Sequence, residues 1–385
     1  MLMASVLLAG AFVLHWMQMH QARDYLLIAA AVIEGVPIAV KAIQSLGVKA
    51  FSIELLIAIS LSGAIIIGEY LEAAALGFLF IAGAWLETRA LRRMRRSLKQ
   101  HVNELARRFP DEAVVEWVEE AQESGTGAQQ FLQRFANIYT PAVVVLAAGV
   151  YLVSGNLQQA LTFLVIACPG ALVLSAPAAL AAGISNGARY GALIKDGNTL
   201  EKLARIDAVL FTEYSLLKQP EAKRIVEHLL ADGVKHAGVV SGDGIASIKL
   251  LKDLGYRVAV VGSPVHDAAV LAAADIGVVL GAAAIGAAGM PDVMILSGQA
   301  GQFRHAYGLA KATVRTIKQN TILALSTVVI LTVGVSLGAL FLTWAMLIHE
   351  VSILIVILNA AGLMHFSSPV MLLAPELGSG RKQVS

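Results

Sequence analysis

Eight stretches of this chain are almost free of charge and approach the length of a membrane crossing: residues 2–17, 25–43, 53–67, 71–86, 141–153, 157–184, 321–342 and 344–364. A spanning helix needs ~20 mainly apolar residues. In lipid, every backbone N–H and C=O must be bonded within the segment itself, so such runs fold as helices. The first, third and fifth are short. Composition agrees with the pattern: 57% of residues are hydrophobic and 15% charged, against about 45–50% and 25% in soluble domains.

Charge sets the expected orientation. Arg89, Arg92, Arg93, Arg95, Arg96 and Lys99 follow the fourth run, and Lys195, Lys202, Arg205, Arg315 and Lys318 flank the long polar segment. Basic loops stay cytoplasmic, so an even number of spans puts both termini in the cytoplasm of a multi-pass plasma-membrane protein. The single cysteine, Cys168, excludes an internal disulfide. A net charge of +2, with no basic run interleaved with aromatics, gives no sign of nucleic acid. The first run has neither a basic leader nor a small-residue cleavage site, and reads as a membrane helix rather than a signal peptide.

The expected organisation is four spans in residues 1–88, a cytoplasmic insert in 89–140, two spans in 141–185, a second insert in 186–319, two spans in 320–366 and a tail in 367–385. The first insert is helical by pattern, basic and then acidic; it reads as a solvated hairpin, with contact to anionic lipid as the alternative. The second contains "DAVLF", "AGVVS", "RVAVVG", "IGVVLG" and "DVMIL", short β-branched runs separated by polar or helical stretches. Such alternation predicts a parallel, doubly wound sheet. Ligands in these sheets sit at the carboxyl ends of strands, where "TEYSLLK", "SGDG" and "GSPVHD" fall.

Several segments together resemble the heavy-metal-transporting P-type ATPases. They are "GEYLEAAALGFLFIAGAWLE", "VIACPGALVLSAPAALAAGISNGARYGALIKDGNTLEKLARIDAVLF", "VAVVGSPVHDAAVLAAADIGVVLG", "TIKQNTILAL" and "HEVSILIVILNAAGLM", in that order. The resemblance implies a polytopic α-helical membrane protein of about eight transmembrane helices with a small cytoplasmic α/β, haloacid-dehalogenase-like domain. It also shows what is missing. Where the family has its phosphorylated Asp-Lys-Thr-Gly-Thr, this chain has Thr212, Glu213, Tyr214, Ser215 and Leu216. Thr212 has a hydroxyl and no evident base, and Glu213 is a carboxylate one position late. Where the family holds Mg²⁺ with Gly-Asp-Gly-x-Asn-Asp, Ser263 and Pro264 intervene and only Asp267 survives. Ser241 and Asp243 keep part of the family's Thr-Gly-Asp. No Thr-Gly-Glu loop occurs, and no segment is long enough for a nucleotide-binding domain. Phosphoryl transfer needs the carboxylate and its Mg²⁺ together. No catalytic residue is therefore assigned, and Mg-ATP is not an expected ligand.

The membrane part keeps chemistry. Pro169 breaks the sixth run, since proline lacks the N–H and clashes with the carbonyl of Val165. The family's Cys-Pro-Cys here reads Cys168-Pro169-Gly170, and "HEVS" supplies His349 and Glu350. Thiolate, imidazole and carboxylate suit a divalent transition metal, zinc first. For Cys168 alone a small core residue is the competing reading. Met346 reads as packing, and "HWMQMH" (His15 to His20) as a wet interfacial turn. Glu34, Glu54, Glu69, Glu72 and Glu87 read as membrane-flanking carboxylates, with Glu69 and Glu72 near the outer mouth; Asn320 and Asn359 read as links between helices. Three functions compete: a degenerate pump that binds or passes a metal, senses it or serves a transporter partner as a subunit; an active ATPase with a rearranged site or partner-supplied domains; and a structural relative with no ion.

Overall fold

The computed structural model describes residues 2–48, 51–108, 127–216, 222–240, 244–263, 266–281 and 291–367. The acidic half of the first insert, Ser241, Asp243 and most of the tail lie outside these residues. The chain divides into two compact units.

The first unit is helical. It takes in α1 (Leu2–Trp16), α2 (His20–Gly47), α3 (Ile53–Ile66) and the start of α4 (Tyr70–Arg108), most of α5 (Gly127–Ser154), α6 (Leu157–Ile166), and the beginning of α7 (Gly170–Arg189). The later part of α13 (Ala300–Ser336) and most of α14 (Leu342–Gly362) complete it. Leu27, Ala30, Ala31 and Ile38 of α2 pack with Ile57, Leu61 and Ala64 of α3 and with Ala73, Ala74 and Leu76 of α4. Small residues bring the helices close. A Cβ on Gly63 would stand 2.7 Å from both Leu161 methyl carbons, so α3 and α6 meet only because that position is glycine. Polar side chains bind helices together: Asn320 donates to the Val356 carbonyl (3.1 Å), and Asn359 to Asn320 Oδ1 (2.8 Å). The two asparagines thus link α13 and α14, as their sequence setting suggests.

The expectation of eight spans is met in part. Among the described residues five helices are long and apolar enough to cross a membrane: 20–47, 70–93, 157–189, 301–336 and 342–365. The other three apolar segments, 3–16, 53–66 and 138–154, the last lying within the longer helix α5, are shorter, and they correspond to the three short runs. The break between the last two apolar runs, at residue 343 by their bounds, falls earlier in the structure. Helix α13 ends at Ser336, and Gly338 adopts φ +70°, a left-handed turn that glycine tolerates.

The second unit contains a six-stranded sheet: β1 (Ala192–Ile194), β2 (Ala208–Thr212), β3 (His236–Val240), β4 (Val258–Gly262), β5 (Ile276–Leu280) and β6 (Val293–Ile295), in the order β1-β6-β5-β4-β2-β3. Five strands are parallel and match the five β-branched runs. The sixth was not expected: β1 pairs antiparallel with β6, Ala192 opposite Ile295. Its three residues carry no alternation to read. Helices α8 (Gly197–Ala204), α9 (Glu213–Leu216), α10 (Ala222–Ala231), α11 (Gly244–Asp253) and α12 (Ala268–Ala273) connect the strands. Along β2, Val209 and Phe211 join a core with Leu200, Leu229 and Phe303, while Ala208 and Leu210 join another with Ile248 and Leu271. Both faces of the sheet are covered, which is why its strands read as continuous apolar runs rather than alternating ones.

Candidate functional site

The helical unit and the sheet unit each hold one group of residues singled out by sequence. In the helical unit, the helix stops at Ile166 and resumes at Gly170, so Cys168 and Pro169 occupy a break. Cys168 is buried. His349 of α14 is 2% exposed, and neither ring nitrogen has a hydrogen-bond partner. A buried imidazole with two idle nitrogens is costly unless something else binds it. The break brings the two residues to one place. A Cβ on Gly170 would lie 3.7 Å from His349 Nε2, 3.8 Å from Cys168 Sγ and 3.1 Å from Ile353 Cδ1. The sulfur and the nitrogen therefore border the gap left by the missing side chain.

Glu350 does not complete that pair in this arrangement. Its carboxylate lies against α4, where a Cβ on Gly83 would overlap Oε2. Among the described residues no three His, Cys, Asp or Glu side chains close into a metal-holding cluster. Cys168 and His349 border one gap, and the Glu350 carboxylate lies apart from it, against Gly83. Gly83 has no signal of its own in the sequence; only the close approach reveals it.

The other polar candidates settle into structural contacts. Arg23 Nη1 is 3.2 Å from His15 Nδ1, which sets a guanidinium against the first histidine of "HWMQMH". Gln158 donates to Glu72 Oε2 at 3.2 Å. Met346 lies in the helical core, as packing. Glu34 overturns its assignment as a flanking carboxylate: it is 2% exposed and sits near the midpoint of α2.

In the sheet unit, parallel pairing aligns the carboxyl ends of β2 and β4, with Phe211 opposite Val261. Thr212, 5% exposed, donates through Oγ1 to Asp267 Oδ2 at 2.7 Å. The Ser263 N–H donates to the same oxygen at 2.8 Å. Ser215 Oγ lies 2.8 Å from the Thr212 carbonyl and 3.1 Å from that of Val261. Glu213 begins α9 and is exposed. The sequence reading found no base beside Thr212; the structure supplies one in Asp267. Fifty-five residues separate the two, and only the adjacency of β2 and β4 joins them. The arrangement is a clasp: the surviving carboxylate binds the loop and hydroxyl of its own chain.

No family model matches the chain. A zinc-exporting P-type ATPase of Mycobacterium marinum is 40% identical over 104 residues, which is 27% of this chain and 14% of that relative. A zinc/cadmium/lead-transporting P-type ATPase of Escherichia coli is 42% identical over 113 residues, 27% of this chain and 15% of the relative. A probable cadmium-transporting ATPase of Listeria monocytogenes is 36% identical over 134 residues, 32% and 19%. The match thus spans under a fifth of the length of each. The fold resembles the crystal structure of a zinc-transporting PIB-type ATPase in the E2.Pi state, with a TM-score of 0.61 at 19% identity over 94% of this chain and 98% of that one. A second crystal structure of a zinc-transporting PIB-type ATPase, in a different state, gives 0.54 at the same identity and coverage. Partial-length homology and fold together point to the heavy-metal P-type ATPase superfamily and to a multi-pass membrane protein.

Proposed function

We propose that this chain is a heavy-metal P-type ATPase-like membrane protein that binds or passes a divalent transition metal, zinc first, and does not itself hydrolyse ATP. The observation that carries the second half is the clasp at the end of β2. A threonine stands where the resembled family has its phosphorylated aspartate, and its hydroxyl is bonded to Asp267. Phosphoryl transfer depends on positioning a nucleophile and neutralising charge with Mg²⁺. Here the hydroxyl replaces the carboxylate, and Asp267 is already bonded within the protein. The metal half is supported by His349, whose buried nitrogens are unpartnered, and by Cys168 across the gap at Gly170. Imidazole and thiolate are both good zinc ligands. Glu350 is the third ligand in this reading, joining when its side chain leaves Gly83. The metal is cargo or signal, and a transporter partner is compatible with either.

The test is metal analysis of purified protein loaded with Zn²⁺. Wild type should hold about one ion per chain, and a Cys168→Ala, His349→Ala double variant should hold far less. Equal occupancy rejects the site. The cytoplasmic placement of both termini at the plasma membrane belongs to the same proposal, and a reporter fused after Ser385 that reads as external would overturn it.

A second reading is favoured by one contact: Asp267 offers Thr212 a proton acceptor. In that reading the chain is an active ATPase completed by a partner that carries the nucleotide-binding part. A neighbouring reading frame encoding detached nucleotide-binding and actuator domains separates the two.

A further inference from the structure

Glu34 is a buried acid in the helical unit. It is 2% exposed, and its Oε2 has no hydrogen-bond partner. Three helices close on it. A Cβ on Gly77 of α4 would stand 2.9 Å from Glu34 Oε2 and 3.2 Å from Leu61 Cδ1, and a Cβ on Gly35 would stand 2.9 Å from Leu61 Cδ2. The same three helices contribute Ala30, Ala31 and Ile38 of α2, Leu61 of α3 and Ala73, Ala74 and Leu76 of α4 to one hydrophobic cluster. Pro37 lies inside α2 one turn on and cannot bond the Ile33 carbonyl, so the helix is loosened beside the carboxyl.

An ionised carboxylate here would be a buried charge without a bonded partner, the costliest state for such a group. A lone acid among alanine and leucine side chains has too few donors for Mg²⁺ or Ca²⁺, which take six or more oxygens. The neutral acid is the form this site accommodates. Ionisable groups within membrane helices are functional by default.

We propose that Glu34 is a proton-binding site inside the helical bundle, and that a hydrophobic carbodiimide arriving through lipid modifies it. In that reaction the carboxyl oxygen bonds to the central carbon of the reagent and its proton moves to a reagent nitrogen. The O-acylisourea then rearranges to a stable N-acylurea by an oxygen-to-nitrogen acyl shift. Nothing is expelled, and no oxidant or reductant takes part. The inference rests on the helical unit being embedded in lipid and is independent of the metal reading.

The experiment treats full-length protein in lipid nanodiscs with dicyclohexylcarbodiimide between pH 6 and pH 9 and maps the adduct by mass spectrometry. An ordinary glutamate, with a pKa near 4.3, is only about 0.2% neutral at pH 7. Labelling of Glu34 at pH 7 should therefore exceed that of Glu227, exposed on α10, by more than tenfold, and should decline as pH rises. A water-soluble carbodiimide should leave Glu34 unlabelled. Glu34→Gln should abolish that adduct and keep the melting temperature, because the amide copies the neutral acid; if this variant does not fold, the wild-type comparison still decides. Absence of label on folded wild type overturns the proposal. So does equal labelling by the water-soluble reagent, or protection by Zn²⁺ of tenfold or more, which would make Glu34 a metal ligand.

Discussion

Gly170→Cys should raise the affinity of the helical unit for zinc. The position accepts a side chain: Gly170 opens α7 without a positive φ. The new Cβ would meet His349 Nε2 and Cys168 Sγ at 3.7 and 3.8 Å, ordinary contact distances. Only Ile353 Cδ1, at 3.1 Å, is tight, and it ends a side chain able to shift by a few tenths of an ångström. The added sulfur would enter the gap those donors border, within reach of the ~2.0–2.3 Å bonds zinc makes to nitrogen and sulfur. Four-ligand zinc peptides bind with about 10–16 kcal/mol at pH 7, or about 2.5–4 kcal/mol per ligand. Moving Ile353 and ordering the new thiolate offset part of that. A gain of at least tenfold in Kd, about 1.4 kcal/mol, is the expected minimum. Calorimetric titration of Zn²⁺ into detergent-purified protein, with reductant present, measures it. Gly170→Ala controls for bulk and should bind more weakly than wild type. If the cysteine and alanine variants bind zinc equally, residue 170 does not face a metal site and the reasoning from the gap fails.

Gly83→Ala forces the Glu350 carboxylate away from α4, since the methyl would overlap Oε2. The helix should gain up to about 1 kcal/mol from alanine, while zinc affinity changes by tenfold or more; unchanged affinity would remove Glu350 from the ligand set. Thr212→Val keeps the shape of the clasp but deletes its bond to Asp267, costing the sheet unit about 1.5–3 kcal/mol in denaturant unfolding; no loss would mean the clasp carries no stability. Burial alone would raise the Asp207 carboxyl, but the Lys235 ammonium 2.9 Å away, the Arg257 N–H and the Arg257 guanidinium prevail and hold it below its ordinary 3.8. Its stabilisation is therefore present above pH 3.8 and lost as pH falls through the lower folded value, so the melting temperatures of wild type and Lys235→Met should differ near pH 6 and converge under acid. Incubation with labelled ATP and divalent metals should leave no acid-stable, hydroxylamine-sensitive label on wild type or on Thr212→Asp; label lost in Glu213→Gln would make Glu213 a displaced nucleophile.

The sheet was legible because both of its faces are covered, which leaves five runs of β-branched residues with little else in them. Strand β1 was not, because three apolar residues after a helix carry no period. The short runs near residues 2–17 and 53–67 were visible as apolar, and the helices formed there are correspondingly short. Cys168 and His349 were singled out by chemistry and by the proline break, and both side chains border Gly170. Glu350 was assigned to the same point by adjacency in sequence, yet neighbouring residues on a helix face different directions, about 100° apart. Its position against Gly83 follows from that geometry. Glu34 was misplaced for the opposite reason: a charge in a 28-residue helix looks like an end until packing shows it at the middle. The pairing of Thr212 with Asp267 needed strand order, which no local pattern encodes.

The antiparallel pair at the edge of the sheet also fixes an order of events. Strand β1 bonds only to β6, and the register joins Ala192 to Ile295, about a hundred residues later. At a synthesis rate of ~5–20 residues per second, β1 waits roughly 5–20 s for its partner to be made. Through that interval its buried face, Ala192, Leu193 and Ile194, has no sheet to cover it. The closing of a loop this long is slow compared with helix formation or with pairing of neighbouring strands. The six-stranded sheet is therefore finished last at its β1 edge, after β2 through β5 have been translated.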